Sequence, residues 1–252
     1  MDLQLEGRPA LVTGASRGIG RGTSKILAAE GCKLAICARR KELLEEVADE
    51  IQADGHDRPL IINEDVLPED APEKIRDQLF GAFGHCDILV NSAGGSRTVP
   101  WDTGDEAWNE GMSLNFEAIR RLTMALVHSM REQKYGRIIN ITGSSEPKGV
   151  NVANAAKAAI HAWSKGMSRA LGRDGITINS LPPGRIMSEQ IIERVHPDPQ
   201  ERAAFADMHI PAGYFGEPED MGSLIAFLAS PLARYINGEI IHVDGGMRRF
   251  AF

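Results

Sequence analysis

The residues best placed to do chemistry begin with Thr-Gly-Ala-Ser-Arg-Gly-Ile-Gly at 13–20, which follows an apolar run and opens a helical one. Gly14 permits a tight turn, Gly18 lets backbone approach a pyrophosphate, and Gly20 allows close helix–strand packing. The helix that follows would present unpaired N–H groups and a partial positive charge to the phosphates. This stretch is built to cradle a phosphate-bearing ligand. A second group of residues could move protons. Ala153 and Lys157 stand four residues apart and share one helix face, with His161 one turn further on. Upstream, Ser144, Ser145 and Glu146 offer two hydroxyls and a carboxylate.

Such residues need elements to hold them. The chain has 252 residues, 42% hydrophobic and 25% charged, the composition of an ordinary globular protein. A chain of this size buries roughly 70–75% of its unfolded surface and needs neither disulfides nor metal to hold a core. The formal charge of −7 disfavours a phosphate-backbone partner, so no nucleic-acid binding is expected. Cys32, Cys37 and Cys86 have neither metal-ligand spacing nor an even count, which suits a reducing compartment. The N-terminal stretch lacks the apolar core of a secretory signal. No apolar run has the length of a membrane span. A cytoplasmic protein with no membrane partner is expected.

Short apolar runs alternate with helical patterns along the chain. "PALVTG", "KLAICAR", "PLIINEDV", "CDILVNSAG", "GRIINITGSS", "ITINSLPPG" and "EIIHVDGG" read as strands. Helical patterns fall at 19–30, 41–55 and near 70–83, 104–131, 153–171 and 218–229. The expected fold class is α/β: a single Rossmann-like doubly wound parallel sheet of about seven strands with helices on both faces. One domain over residues 1–252 is expected, with ligands at the carboxyl ends of the strands. The stretch 185–217, interrupted by Pro197, Pro199 and Pro211, is a candidate substrate lid. Its Met187, Ile191, Ile192, Phe205, Met208 and Phe215 would supply an apolar lining or the packing of a cap.

The glycine spacing Gly-x-x-x-Gly-x-Gly resembles that of the short-chain dehydrogenase/reductase family, and further motifs follow in the family's order. "DV" at 65–66 resembles the pair whose aspartate contacts adenine. "NSAG" at 91–94 resembles the turn after the fourth strand. Asn115 matches the active-site asparagine. "PPGRIMS" at 182–188 resembles the segment that holds the nicotinamide carboxamide, and "YINGEIIHVDGG" the last strand. Within the family the chain resembles 3-oxoacyl-acyl-carrier-protein-reductase-like members. The resemblance implies a cofactor site made by Gly14, Ser16, Arg17, Gly18, Ile19, Gly20, Arg39, Asp65, Val66, Asn91, Ala93, Gly94, Lys157, Pro183, Gly184, Ile186 and Ser188. The family's acidic position after the second strand corresponds to Ala38, followed by Arg39 and Arg40. With no carboxylate there to repel a 2′-phosphate, and with Arg17 within reach, NADP(H) is expected over NAD(H).

Family members pair a tyrosine with a lysine one helical turn later, and a serine upstream binds the substrate oxygen. Here Lys157 matches the lysine, but the tyrosine position is Ala153. The serine position is Gly143, with Ser144 next, and the loop to Ala153 is shorter than in the family. The expected catalytic residues are therefore Asn115, Ser144 and Lys157. Lys157 could pass a proton through Ser144, because desolvation beside a cationic ring depresses a lysine pKa. Other candidates stay open. Glu146 could have its pKa raised by burial. Tyr214, His196 and His209 sit in the presumed lid. Tyr135 lies on the amino side of its strand, Tyr235 reads as packing, and His161 suits a helix or subunit contact.

The resemblance implies an NADP(H)-dependent oxidoreductase interconverting a small carbonyl compound and its alcohol, with a non-standard proton donor, in a homodimer or homotetramer. A nucleotide-binding regulatory protein and a non-redox enzyme on the same scaffold are the alternatives.

Overall fold

Side-chain alternation decides how each strand is used. All five residues of β1 (Pro9–Thr13) are buried, as are all six of β5 (Gly136–Ile141) and of β6 (Ile176–Leu181). Ala10 and Val12 face one apolar cluster while Leu11 faces another, and Leu34 and Ile36 divide from Ala35 and Cys37 in the same way. Strands apolar on both faces must be covered on both, which is the situation of a parallel sheet flanked by helices.

The computed structural model describes residues 1–250 apart from 97, 144, 145, 147, 148 and 190, and of Arg194 only the backbone. With β2 (Lys33–Cys37), β3 (Leu60–Ile62) and β4 (Ile88–Asn91), the strands form one parallel sheet in the order β3-β2-β1-β4-β5-β6. Helices α1 (Gly18–Ala29), α2 (Lys41–Ala53) and α8 (Pro218–Ala229) cover one face. Helices α3 (Ala71–Phe83), α5 (Ala118–Gln133) and α6 (Val152–Leu171) cover the other. Strand order reverses between β1 and β4, where Thr13 pairs with Asn91 and Asn91 with Asn140, so the carboxyl ends of β1, β4 and β5 finish level. That reversal is where ligands bind in such sheets.

The described residues give six strands rather than about seven. The expected last strand runs parallel to β6 but pairs only at two isolated bridges, Ser180 with Ile240 and Pro183 with Val243. Proline explains the gap. Ser180 N donates to Glu239 O and Ile241 N donates to Ser180 O, both at 2.9 Å, but the next donor in the ladder would be residue 182. Pro182 has no N–H, so that rung is missing, and the ladder resumes where Val243 N donates to Pro182 O at 3.2 Å and Gly184 N to Val243 O at 2.8 Å. The helical pattern at 104–131 is likewise three pieces: α4 (Asp105–Met112), a π-helical turn at Ser113–Glu117, and α5.

Helices α1 and α8 meet through glycines. A Cβ on Gly22 would stand 2.5 Å from Pro218 Cβ and 3.0 Å from its carbonyl carbon, and one on Gly222 would stand 3.3 Å from Thr23 Cα. Gly22→Ala therefore gains helix propensity, about 1 kcal/mol, but loses more to overpacking, about 1–3 kcal/mol. The net loss of up to about 2 kcal/mol is expected to lower Tm by up to roughly 8 °C in a melting experiment.

All three cysteines are buried and unpaired. Desolvation pushes the Cys32 and Cys37 thiols up to about 12, and that of Cys86 up as well. Among the described residues no helix is long and apolar enough to cross a membrane.

Candidate active site

Thr13, the last residue of β1, ties two strand ends together. Its Oγ1 accepts from the N–H groups of Ser92 and Ala93, each at 3.2 Å, just beyond β4. The chain then turns at Gly14, whose φ is +64°. A Cβ on Gly14 would stand 2.7 Å from Ala93 N, and one on Gly20 would strike the Gly14 carbonyl oxygen. Glycine is required at both places. Helix α1 starts with Arg17 as its N-cap, with no side chain bonded to the cap and no acidic residue in the first turn. Its first N–H groups and the positive end of its dipole remain for an anion, so the cradle fits a diphosphate.

The 185–217 segment packs against this turn. A Cβ on Gly18 would meet Ser188 Cβ at 3.4 Å, and the Arg17 guanidinium stands 3.9 Å from both Glu189 and Glu193. Ile186 is buried and bridges to Gly216. Pro183 bridges to Val243, and a Cβ on Gly184 would stand 2.6 Å from Asp244 Cα. This segment, which carries α7 (Pro199–His209), has its own small core of Ile191, Ala206, Ile210 and Phe215, joined by Met187 and Phe205. Ile192 and Met208 are exposed instead.

At the end of β2, Asn63 Nδ2 donates to the carbonyls of Ala38 and Arg39 at 3.1 and 2.9 Å. The exposed Arg39 guanidinium lies 4.0 Å from Asp65, whose Oδ1 accepts from Leu67 N at 3.1 Å. Val66 packs against the second core cluster. Asn91 is buried, and its amide donates to Asn140 Oδ1 at 2.8 Å and Thr123 Oγ1 at 3.3 Å. Its side chain is thus spent inside the sheet, and only its backbone is at the strand end.

The π-helical turn aims Asn115 inward. Its Oδ1 accepts from Gly95 N at 3.2 Å while its Nδ2 donates to Gly111 O at 3.0 Å, which pins the turn after β4. A Cβ on Gly94 would stand 3.1 Å from Asn115 Oδ1 and 4.0 Å from Lys157 Cε; one on Gly143 would stand 3.1 Å from Lys157 Cδ. The structure therefore gathers Gly94, Asn115, Gly143 and Lys157 around one point at the carboxyl ends of β4 and β5. Among the described residues no carboxylate pairs with Lys157, and desolvation pulls its amine down to about 8. An amine with that pKa exchanges a proton near neutrality. Ala153 is buried beneath, at the first turn of α6.

The other proton-carrying candidates lie elsewhere. Tyr135 donates to Ala229 O at 2.7 Å and is sandwiched between Arg8 and Arg137, while Tyr214 and Tyr235 are exposed. The reading of Tyr235 as packing is thereby corrected: it sits at the surface, after the short turn that follows α8. Glu146 accepts from the N–H groups of Arg249 and Phe250 at 3.0 and 3.1 Å, which ties it to the C-terminal segment. His196 and His209 both lie against Phe205. Ser144 and Ser145 lie outside the described residues, as do Pro147 and Lys148.

Two features went unread in the sequence. Asn151 caps α6 by accepting from Ala153 N at 3.0 Å, and its amide donates to Ser96 at 2.9 Å. An asparagine before a helical run is a legible cap signal. His161 Nε2 lies 2.8 Å from Thr142 Oγ1, a contact that only the packing of α6 on β5 reveals. Burial and His242 both push the His161 pKa down.

Residues 14–248 match the family model described as enoyl-(acyl carrier protein) reductase. The chain is 37% identical to the 3-oxoacyl-[acyl-carrier-protein] reductase FabG of Escherichia coli over 249 residues, covering 97% of this chain and 99% of that protein. L-sorbose reductase of Gluconobacter frateurii, solved with NADPH and L-sorbose, superposes with a TM-score of 0.92 at 29% identity, over 99% of this chain and 100% of that one. A 7α-hydroxysteroid dehydrogenase solved with NADH and a 7-oxo bile acid gives 0.92 at 28% identity, over 100% and 98%. Relatives of this shape thus include complexes with either dinucleotide.

Proposed function

The chain belongs to the short-chain dehydrogenase/reductase family, and from that premise we propose an NADP(H)-dependent oxidoreductase that interconverts a small carbonyl compound and its alcohol. The observation that carries the reading is Lys157: an amine drawn to about 8, set against Gly94 and Gly143 with Asn115 beside it. The glycine turn supports the dinucleotide. Residue 38 is alanine and Arg39 follows it, which supports a 2′-phosphate on the ribose over a free hydroxyl.

When bound, the nicotinamide supplies or accepts the hydride. The chain's own residues hold the geometry and the proton. Asn115 fixes the turn at Gly95, and so the floor under the substrate. In this reading Ala153 stands where the family places its tyrosine, so Lys157 Nζ is the proton's source in reduction and its sink in oxidation, relayed by the hydroxyl of Ser144. A positioned acid or base contributes about 10²–10⁴-fold, and the alignment of reactants contributes separately. The expected partner is a small molecule, and the assembly a homodimer or homotetramer in the cytoplasm.

The test is transfer of deuterium from 4-deuterated NADPH to product over a panel of carbonyl compounds, with deuterated NADH in parallel. Label appearing in an alcohol, faster from NADPH, supports the proposal. Tight NADP⁺ binding with no label transferred across the panel would instead indicate a nucleotide-binding regulator. Turnover with no net cofactor oxidation would indicate non-redox chemistry on the scaffold.

A further inference from the structure

Between the lid and the C-terminal segment lies a cavity of about 80 Å³, several times the ~10–15 Å³ that a single water needs. It adjoins the candidate site through Pro183 and through Glu146, three residues after the glycine that touches Lys157. Arg185 forms part of its wall. The backbone there is held on both sides: Gly184 N donates to Val243 O, and Arg185 O accepts from Gly216 N at 2.9 Å. The guanidinium carbon rests 5.3 Å from the Phe205 ring centre. Its Nε is buried with no hydrogen-bond partner, and no carboxylate among the described residues pairs with it. Burial lowers the pKa of this side chain, yet a guanidinium does not give up its charge in a protein. A half-buried guanidinium whose Nε is buried without a partner is stabilised when an anion reaches it.

The cavity's own carboxylates are engaged. Asp244 accepts from Gly246 N at 2.9 Å and Arg248 N at 3.0 Å, and Glu146 accepts from Arg249 N and Phe250 N. Among the described lining residues, Arg185, Arg248 and Arg249 against Glu146 and Asp244 leave an excess of one positive charge. Burial and Arg248 push the His242 pKa down, which keeps that ring neutral. One negative charge balances the cavity; a phosphate dianion would overfill it.

We propose that this cavity receives a carboxylate of the substrate, paired with Arg185, so that the carbonyl compound is an oxo acid and its alcohol a hydroxy acid. The inference rests on the function proposed above and narrows its substrate class.

Calorimetric titration tests it with succinate, its neutral diamide and inorganic phosphate, each with and without saturating NADP⁺. Succinate is expected to bind and the diamide to give no heat. Arg185→Met should weaken succinate at least ~10-fold, as expected for losing a charge-assisted bond, and Arg185→Lys should restore part of it. The lysine variant also answers the case in which the methionine variant fails to fold. Absence of succinate binding, or binding that Arg185→Met leaves unaltered, overturns the inference. So does phosphate that binds more tightly than succinate through Arg185. If NADP⁺ binds and succinate does not, this inference alone falls. If NADP⁺ does not bind, the function beneath it falls, and the titration without dinucleotide still decides whether Arg185 holds a carboxylate.

Discussion

Lys157→Met is expected to lower deuteride transfer by about 10²–10⁴-fold and, at pH 7, to raise the melting temperature by a few degrees. The two effects have one cause. Desolvation draws the Lys157 amine from its ordinary value near 10.5 down to about 8. Between those values the unfolded chain holds a proton that the folded chain has released, so stability rises with pH across that window. Below pH 8 both states are protonated and the penalty for the desolvated ammonium is present in full, at most about 3 kcal/mol. Methionine fills similar space without the charge. A lysine that only braced the fold would predict a lower Tm in the variant, so calorimetric melting at pH 7 beside stopped-flow transfer separates the roles. The pH profile follows the same group. Carbonyl reduction consumes the protonated amine and should fall as pH rises through about 8, while alcohol oxidation should rise through it.

Gly14→Ala is expected to cost about 2–5 kcal/mol in stability, from left-handed strain of roughly 1–2 kcal/mol and overpacking of about 1–3. Its Cβ would stand 2.7 Å from Ala93 N and 2.8 Å from Ala93 Cα, at a φ of +64°. Both neighbours are backbone that Thr13 already holds in place, so neither can move aside cheaply. Urea unfolding should show the loss. Calorimetry should show NADP⁺ affinity reduced at least ~10²-fold, because displacing Ala93 or the turn misaligns the N–H groups that meet the phosphates. Gly55→Ala is the control: its φ is +88° but nothing lies within 4 Å of the added carbon. It should lose stability and leave dinucleotide binding unchanged.

Much of the fold was legible because continuous apolar runs such as "ILVN" at β4 must lie in a sheet covered on both faces. The seventh strand was misjudged for a reason written elsewhere in the chain. "EIIHV" has strand character, but its ladder depends on an N–H that residue 182, being proline, does not have. Helical periodicity over 104–131 also hid the π-helical turn that aims Asn115, since a slight widening of the helix barely disturbs the apolar pattern. At the turn, Gly14 and Gly20 were readable because steric demands tie residue type to place, whereas Lys157 was singled out by the family resemblance. Asn91 was less so: its amide goes to Asn140 because the two residues are paired across β4 and β5, and register is not written in either strand alone. Arg185 stands in a segment whose sequence signal lies in its backbone, and only the fold shows its Nε buried without a partner beside a cavity.

The three sequestered thiols have a practical consequence. A thiolate reacts and a thiol does not, and with Cys32 and Cys37 pushed up to about 12 the native fold presents almost no nucleophilic sulfur at neutral pH. Air oxidation and maleimide dyes should therefore leave the folded protein untouched, so that the rate of dye uptake counts excursions to the open chain and turns an inert feature into a built-in clock for unfolding.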